Sequence, residues 1–497
     1  MTDDHDIGHL SGDHEEHLAA IDLATEADAT HVAIASGDWF DPSIWDGGVV
    51  PGDDARVFIP EHFEVDYAGG DGARIFTIGV EGALRFDPEA DSQLIVDTLI
   101  VAPGGKLEVG TDDAPVTGAV DIVIANNGAI DVDWDPQLLS RGIVSLGDVS
   151  IHGTEVQSHV KVAVDPMAGD TTLTLALSDI EGWSVGDVIV VAGTDNPGHS
   201  INAYDREYRG DTNETRTIVA IDGDTVTLDQ PLDHDHATPR ADLKTSVANM
   251  SRSITIRSED GAESAVHERG HVMFMGSDDV EVRFASFEDL GRTDKSVRSA
   301  PATSFEDIAF DSNAQGRYSL HLHKLGVENQ DEPIWVEGNS VTGSPGWGIV
   351  QHSSNANLHN NAVIDVFASS FVSEAGDETG TWSNNISLGN IGMLGIERDH
   401  ADVAAGDLAR TGSGFWLQSR LVDVVENIAV ATRTGFVWIA QGSTEEVDAS
   451  LLDQPESLGF GETVSAQQQA ISLAQDNEVF GSERGMTVTK GHPNQNH

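Results

Sequence analysis

Gly82-Ala83-Leu84-Arg85-Phe86, Gly105-Lys106-Leu107-Glu108-Val109 and Gly128-Ala129-Ile130-Asp131-Val132 follow one another at a fixed step of 23 residues. In each, a glycine precedes an apolar/polar alternation of the kind that forms a short half-buried strand. A constant step of this length predicts strands stacked one coil above another in a solenoid. A second series extends the prediction. Leu320-His321-Leu322-His323, Ile349-Val350-Gln351-His352 and Phe371-Val372-Ser373-Glu374 align in the same way. Alternation along a strand puts His321 and His323 on one face, about 6 to 7 Å apart, and stacking carries His323, His352 and Glu374 into one column.

The chain has 497 residues, 39% of them hydrophobic, and 51 glycines, enough to bury sizeable cores. Its charge is extreme, with 84 acidic against 26 basic residues and a formal net of −58. A surface so acidic suits a salty medium, where the Debye length falls to ~3 Å at 1 M salt, and predicts a halophilic or marine bacterial source. It repels nucleic acid and anionic membranes, and no basic run offsets this. There is no cysteine, so disulfides and thiolate metal sites are excluded. The first residues carry acids where a secretory signal would carry positive charge, and no run approaches the ~20 apolar residues of a membrane span.

Residues 1–32 read as an acidic mobile tail with at most a helical turn or two around His17 to Ala27. Residues 33–155 hold the first glycine-paced coils. At 156–245 the period is lost, and Thr171 to Ala176, Val188 to Ala192, Thr217 to Ile221 and Thr225 to Leu228 read as strands of a small antiparallel module with an Asp-Gly hairpin turn. Coils return over 246–445. Asn339, Asn361, Asn385 and Asn427 close successive coils and predict a ladder of stacked amides. The 42 residues from Asn385 to Asn427 are read as one coil with a long excursion. Residues 446–497 form a weakly specified segment with a short helix near Val464 to Gln475. The fold class is all-β.

The run "WDGGVVPGDDARVFIP", the glycine-paced coils and "RGHVMFMGSDDVEVRFASFEDLGRTDK", "GRYSLHLHKLG" and "SPGWGIVQHSSNANLHNNAVIDVFASSFVSEAGDETG" together resemble the G8 domain joined to a right-handed parallel β-helix. The resemblance covers about residues 36 to 440. It implies hyaluronan binding and calcium-dependent depolymerisation, activities of the animal members, at the cell surface or outside the cell. One departure stands out: the family's G-D-G-F-W segment has Ser413 in place of its aspartate here.

The candidate chemistry follows from the column. Two imidazoles on one strand close around a divalent ion if further ligands arrive from neighbouring coils, so His321, His323, His352 and Glu374 are candidate metal ligands and candidate catalytic groups, with calcium or zinc as the ion. The same column also reads as a purely structural hydrogen-bonded ladder. Asp377, with Glu378 beside it, is a candidate acid or base on a glycosidic bond. Arg292 and Arg317 are candidate forks for a substrate carboxylate, and Tyr318, Trp347 and Trp416 candidate surfaces for sugar rings. The expected partner is an anionic polysaccharide, either cleaved by a hydrolase or lyase mechanism or bound without cleavage by an adhesive surface module.

Overall fold

The computed structural model describes residues 6–175, 180–195, 210–238, 240–390, 392, 408–439, 446–452 and 461–489. Most of them form a single parallel β-helix. Each full coil lays down three short strands, and strands of successive coils pair in parallel along three faces. His271–Phe274, Val280–Arg283 and Ala285–Glu288 are one such coil, with one strand on each face. The next coil carries Leu320–Gly326, Ile334–Glu337 and Ser340–Thr342 above them.

The 23-residue step holds for the first two repeats, where Ala83 pairs with Lys106 and Phe86 with Val109. The third repeat fails. Lys106 pairs next with Asp148, and Gly128 to Val132 lie in the connection between coils. Gly147 takes the place expected of Gly128: a Cβ on it would stand 2.2 Å from the Gly105 carbonyl oxygen, so the stacked position needs a glycine.

Between the second and third faces, each coil from Gly338 onward turns through one residue in the left-handed region, followed at once by an asparagine; the coil before it turns through Phe284, followed by Ala285. Gly338, Asn360, Asn384, Glu426 and Asp476 have φ of +64°, +55°, +52°, +57° and +53°. Gly338 is obligatory, because a Cβ there would meet the Phe284 ring at 2.3 Å. The asparagines form the expected ladder, and it continues to Asn477. Each Nδ2 donates to the next Oδ1 and to a carbonyl of the coil before, as Asn361 does to Asn385 and to Val336. Asn385 donates directly to Asn427, so a single coil does span those 42 residues. Most of its excursion, 393–407, lies outside the described residues.

The coils do not stop where a weak C-terminal segment was expected. Glu478–Phe480 and Arg484–Thr489 pair in parallel with Ile428–Val430 and Thr434–Ile439. The helix expected near Val464 to Gln475 is absent; Thr463–Ser465 is a strand, followed by one 3-10 turn. The tail also differs from expectation: Asp6–Ile21 is an α-helix. With Leu23 and Ala24, Ala20 packs on Ile100, Val144, Met273 and Met275, which project outward from the first face.

The module is a six-stranded antiparallel sheet. Its Asp222–Thr225 hairpin turns through Gly223 and Asp224, with Gly223 at φ +60°. The sheet does not separate two solenoids. Gly142–Ser145 pairs directly with His271–Phe274, and Asp148–His152 with Val280–Arg283, so the coils run on uninterrupted and the module is looped out. It docks on the third face, where Val190, Ala192, Ala248 and Met250 cover Ala362, Ile364, Ile386 and Leu388. His159 pins the edge of this contact by donating Nε2–H to the Asn384 carbonyl at 2.8 Å.

Burial holds the His159 pKa down at about 4, against an unfolded value near 6.5. A depressed pKa means that the stability tied to the neutral ring is complete above pH 6.5 and is lost as pH falls towards 4, to the extent of ~3 kcal/mol. His159→Gln keeps the donor and does not titrate. Acidification from pH 7.5 to 4.5 is expected to cost the variant ~2 to 3 kcal/mol less than the wild type, as measured by urea unfolding at both pH values.

Candidate functional site

The first face carries the histidines. Met273 pairs with His321, His323 with His352, and Gln351 with Ser373, so Glu374 follows His352 one coil on. Leu320, Leu322, Ile349 and Phe371 point inward to the core, and strand alternation turns the histidines out. The three imidazoles meet. Ring centroids of His321 and His323 are 4.8 Å apart, His323 and His352 4.9 Å, and His321 and His352 6.0 Å. One nitrogen from each lies within 4.8 Å of the other two.

Glu374 closes the set, with Oε2 at 3.4 Å from His352 Nδ1 and 3.8 Å from His321 Nε2, neither aligned as a hydrogen bond. His321 Nε2, His323 Nδ1, His352 Nδ1 and Glu374 Oε2 are all buried without a hydrogen-bond partner. Four buried polar atoms without partners in one cluster are costly unless a ligand satisfies them. The outer nitrogens are already engaged. His321 Nδ1 faces the Gly316 carbonyl at 2.9 Å and His323 Nε2 faces Glu16 Oε2 at 3.2 Å, so each acceptor takes the ring proton. The lone pairs of both rings are left pointing inward. This is how second-shell partners orient imidazole ligands.

Burial pushes the pKa of His321 well below its usual value, and that of His323 below it as well. Both rings are neutral at pH 7. Burial also acts against a charged His352, but the Glu374 carboxylate outweighs it and raises the pKa. Glu374 itself is held at about 2: burial would raise it, and the charge of His352 beside it, with that of Lys295, overcomes this. His352 and Glu374, each about a fifth exposed, form the open side of the cluster.

Other expected site residues lie elsewhere. Arg292 and Arg317 are not forks for a substrate. Both are buried, and their guanidinium groups donate to backbone carbonyls of the 137–141 connection: Arg292 to Leu138, Ser140 and Arg141, Arg317 to Gln137 and Leu138. Those carbonyls have no strand to pair with, and the arginines supply the donors. Burial lowers the Arg292 pKa to about 9. Tyr318, Trp347 and Trp416 are also buried and form an apolar cluster with Val350 and Val372, so none offers a ring to a sugar. Asp377 is half-buried on the turn that follows Glu374. Its neighbour Glu378 is fully buried and accepts from the Ala375, Gly376 and Ser353 amides, and burial, then Asp377, raises its pKa to about 7. Ser413 is buried at the start of its strand.

Two residues of this site escaped sequence reasoning. Glu16 reaches His323 across 307 residues of chain, and its sequence context is a plain acidic stretch. Lys295 is fully buried, with Nζ 3.9 Å from the Trp347 ring centre, and its charge acts on Glu374. No signal short of the fold itself brings either to the histidines. Among the described residues, no helix is long and apolar enough to cross a membrane.

Comparison with known proteins finds similarity over parts of the chain. The sequence model of the G8 domain matches residues 44–163. A G8 domain-containing protein of Dictyostelium discoideum is 26% identical over 375 residues, which are 73% of this chain and 30% of that protein. Human fibrocystin-L is 31% identical over 197 residues, covering 37% of this chain and 4% of its own length. The chain thus spans less than a third of the length of these curated relatives. Among solved structures, the Gp54 tailspike of Acinetobacter baumannii bacteriophage AP22, in complex with A. baumannii capsular saccharide, aligns over 75% of this chain and 55% of its own at 9% identity and a TM-score of 0.18. The stretch that matches the G8 domain, residues 44–163, forms early coils of one continuous parallel β-helix.

Proposed function

We propose that the chain is a metal-dependent polysaccharide-cleaving protein acting outside the cell or at its surface, with the ion held by His321, His323, His352 and Glu374. The observation that carries this reading is the convergence of three imidazole nitrogens within 4.8 Å, each with a buried atom that lacks a hydrogen bond. Tetrahedral ligands ~2.0 to 2.1 Å from zinc lie closer together than this, and small side-chain rotations close the set. Imidazole-rich ligation favours zinc or another borderline transition ion over calcium, which takes oxygen ligands. Such an ion supplies a polarised water or a Lewis acid for a substrate oxygen. The residues around it do the rest. Gly316 and Glu16 fix two ring tautomers, and Lys295 adds positive charge next to Glu374.

The substrate class proposed is a uronic-acid polymer of the hyaluronan kind. A net charge of −58 opposes such a polymer, so cleavage is expected to rise with salt as screening increases. The test combines metal analysis of the purified protein with incubation on hyaluronan, chondroitin, alginate and pectate, with and without chelator, following reducing ends and unsaturated products. About one equivalent of transition metal and cleavage lost in His323→Ala, with folding unchanged, are the expected results. A wild-type protein that neither retains nor takes up zinc, manganese or calcium defeats the proposal.

A further inference from the structure

The helix lies on the first face and the module on the third. The second face carries an open groove of about 420 Å³ that runs along the solenoid axis over four successive coils. Two outward rows line it. In one, Trp335, Asn357 and Thr381 follow each other from coil to coil; in the other, Glu337, His359 and Ser383 do. Four coils at ~4.8 Å per step give a track of roughly 14 Å, long enough for several sugar rings end to end.

Trp335 is the tryptophan of the later coils that a ligand can reach: Trp347, Trp382, Trp416 and Trp438 are buried, and Trp335 is half-buried in this groove. Its indole is held in place by the Arg283 guanidinium, 5.5 Å from the ring centre. Along the floor, Asn357 Oδ1 accepts the Thr381 amide, which leaves its Nδ2 as a donor with no partner among the described residues. His359 Nδ1 is bonded to Ser383 Oγ at 2.9 Å, and the residue lines the groove. An apolar ring with polar amide and imidazole atoms one coil away is what a pyranose face and its hydroxyls require.

The charges decide which sugar. Arg283 is already matched by three carboxylates: Glu281 at 3.3 Å, Asp112 at 3.6 Å and Glu337 at 3.8 Å. No cation is left for a uronate, and the acidic rim repels one. We infer that the second face binds an uncharged oligosaccharide chain laid along the solenoid axis, with Trp335 as its stacking platform. This site is separate from the histidine centre and does not depend on it.

The test is titration of the full chain with cellohexaose, mannohexaose and N-acetylchitohexaose, read by tryptophan fluorescence and calorimetry, with a hyaluronan hexasaccharide as the charged comparison. At least one neutral hexasaccharide is expected to bind at sub-millimolar concentration, unaffected by chelator. Trp335→Ala is expected to weaken it about tenfold and Trp335→Phe less. His323→Ala is expected to leave it unchanged, which separates failure at the metal centre from failure here. Trp335 and Asn357 project from the coil, so Asn357→Ala serves as a second variant and is expected to weaken binding in parallel. The inference is overturned if no neutral hexasaccharide binds, if binding survives Trp335→Ala intact, or if the charged hexasaccharide competes on equal terms.

Discussion

Asn361→Ala is expected to lower the unfolding free energy by on the order of 4 kcal/mol, a large share of what a domain has to lose. Asn361 Oδ1 accepts from both the backbone amide and Nδ2 of Asn339, and its own Nδ2 donates to Val336 O and Asn385 Oδ1. Alanine removes all four bonds. It leaves the Asn339 amide without its partner in a fully buried corner and takes the asparagine donor from the Val336 carbonyl, and an unpartnered buried group costs ~1 to 3 kcal/mol. Asn477 sits at the far end of the ladder and is only half-buried, so water replaces much of what its side chain supplies. Asn477→Ala is therefore expected to cost less than half as much. Urea midpoints of the two variants check this, and equal losses would show that the ladder's position in the stack does not matter.

Removing one imidazole from the histidine cluster has the other large effect. His321→Ala is expected to weaken metal binding by more than 100-fold, because it deletes a ligand and leaves His352 and Glu374 facing an apolar gap. Glu16→Gln acts one step further out. It keeps a hydrogen-bond acceptor for His323 but takes away the charge, and is expected to cost about 10-fold, the lower end of what second-shell changes do. The readout is competition for the ion with a calibrated chelator. Melting temperature gives an independent check: metal at 100 times its dissociation constant stabilises the wild type by ~2.7 kcal/mol, and His321→Ala loses that increment. Equal metal affinity in His321→Ala and wild type would remove this residue from the ligand set.

The column of His323, His352 and Glu374 was legible because parallel stacking preserves register: once the strands are aligned by their apolar positions, the residues between them line up as well. The asparagine corner was legible for the same reason, and so was the Asp-Gly turn at 222–225. What failed was whatever depends on direction rather than register. Arg292 and Arg317 border loops in the sequence, yet those loops fold back and bury them. Trp347 lies just before a strand and Trp416 within one, yet both are buried in an apolar cluster with Phe367, Ala368 and Leu408. Trp335 sits in the same alternating pattern and stays reachable, because nothing in its own sequence distinguishes a bare face from a covered one. The third glycine repeat misled because coil length is set by the connections: the step along this face is 23 residues from Ala83 to Lys106 and 42 from Lys106 to Asp148.

The unbroken pairing across residue 163 has a practical meaning for anyone isolating the recognised domain. A fragment ending there would present Val120–Ile124, Gly142–Ser145 and Asp148–His152 with their upper edges bare, since all three rest on strands between residues 254 and 283. Three parallel, untwisted-off edges at one end are a template for self-association. Such a piece should precipitate or polymerise end to end, whereas the full chain, in which the following coils cover these edges, should stay dispersed. The stretch that matches the domain and the stretch with covered edges are different lengths of the same spiral.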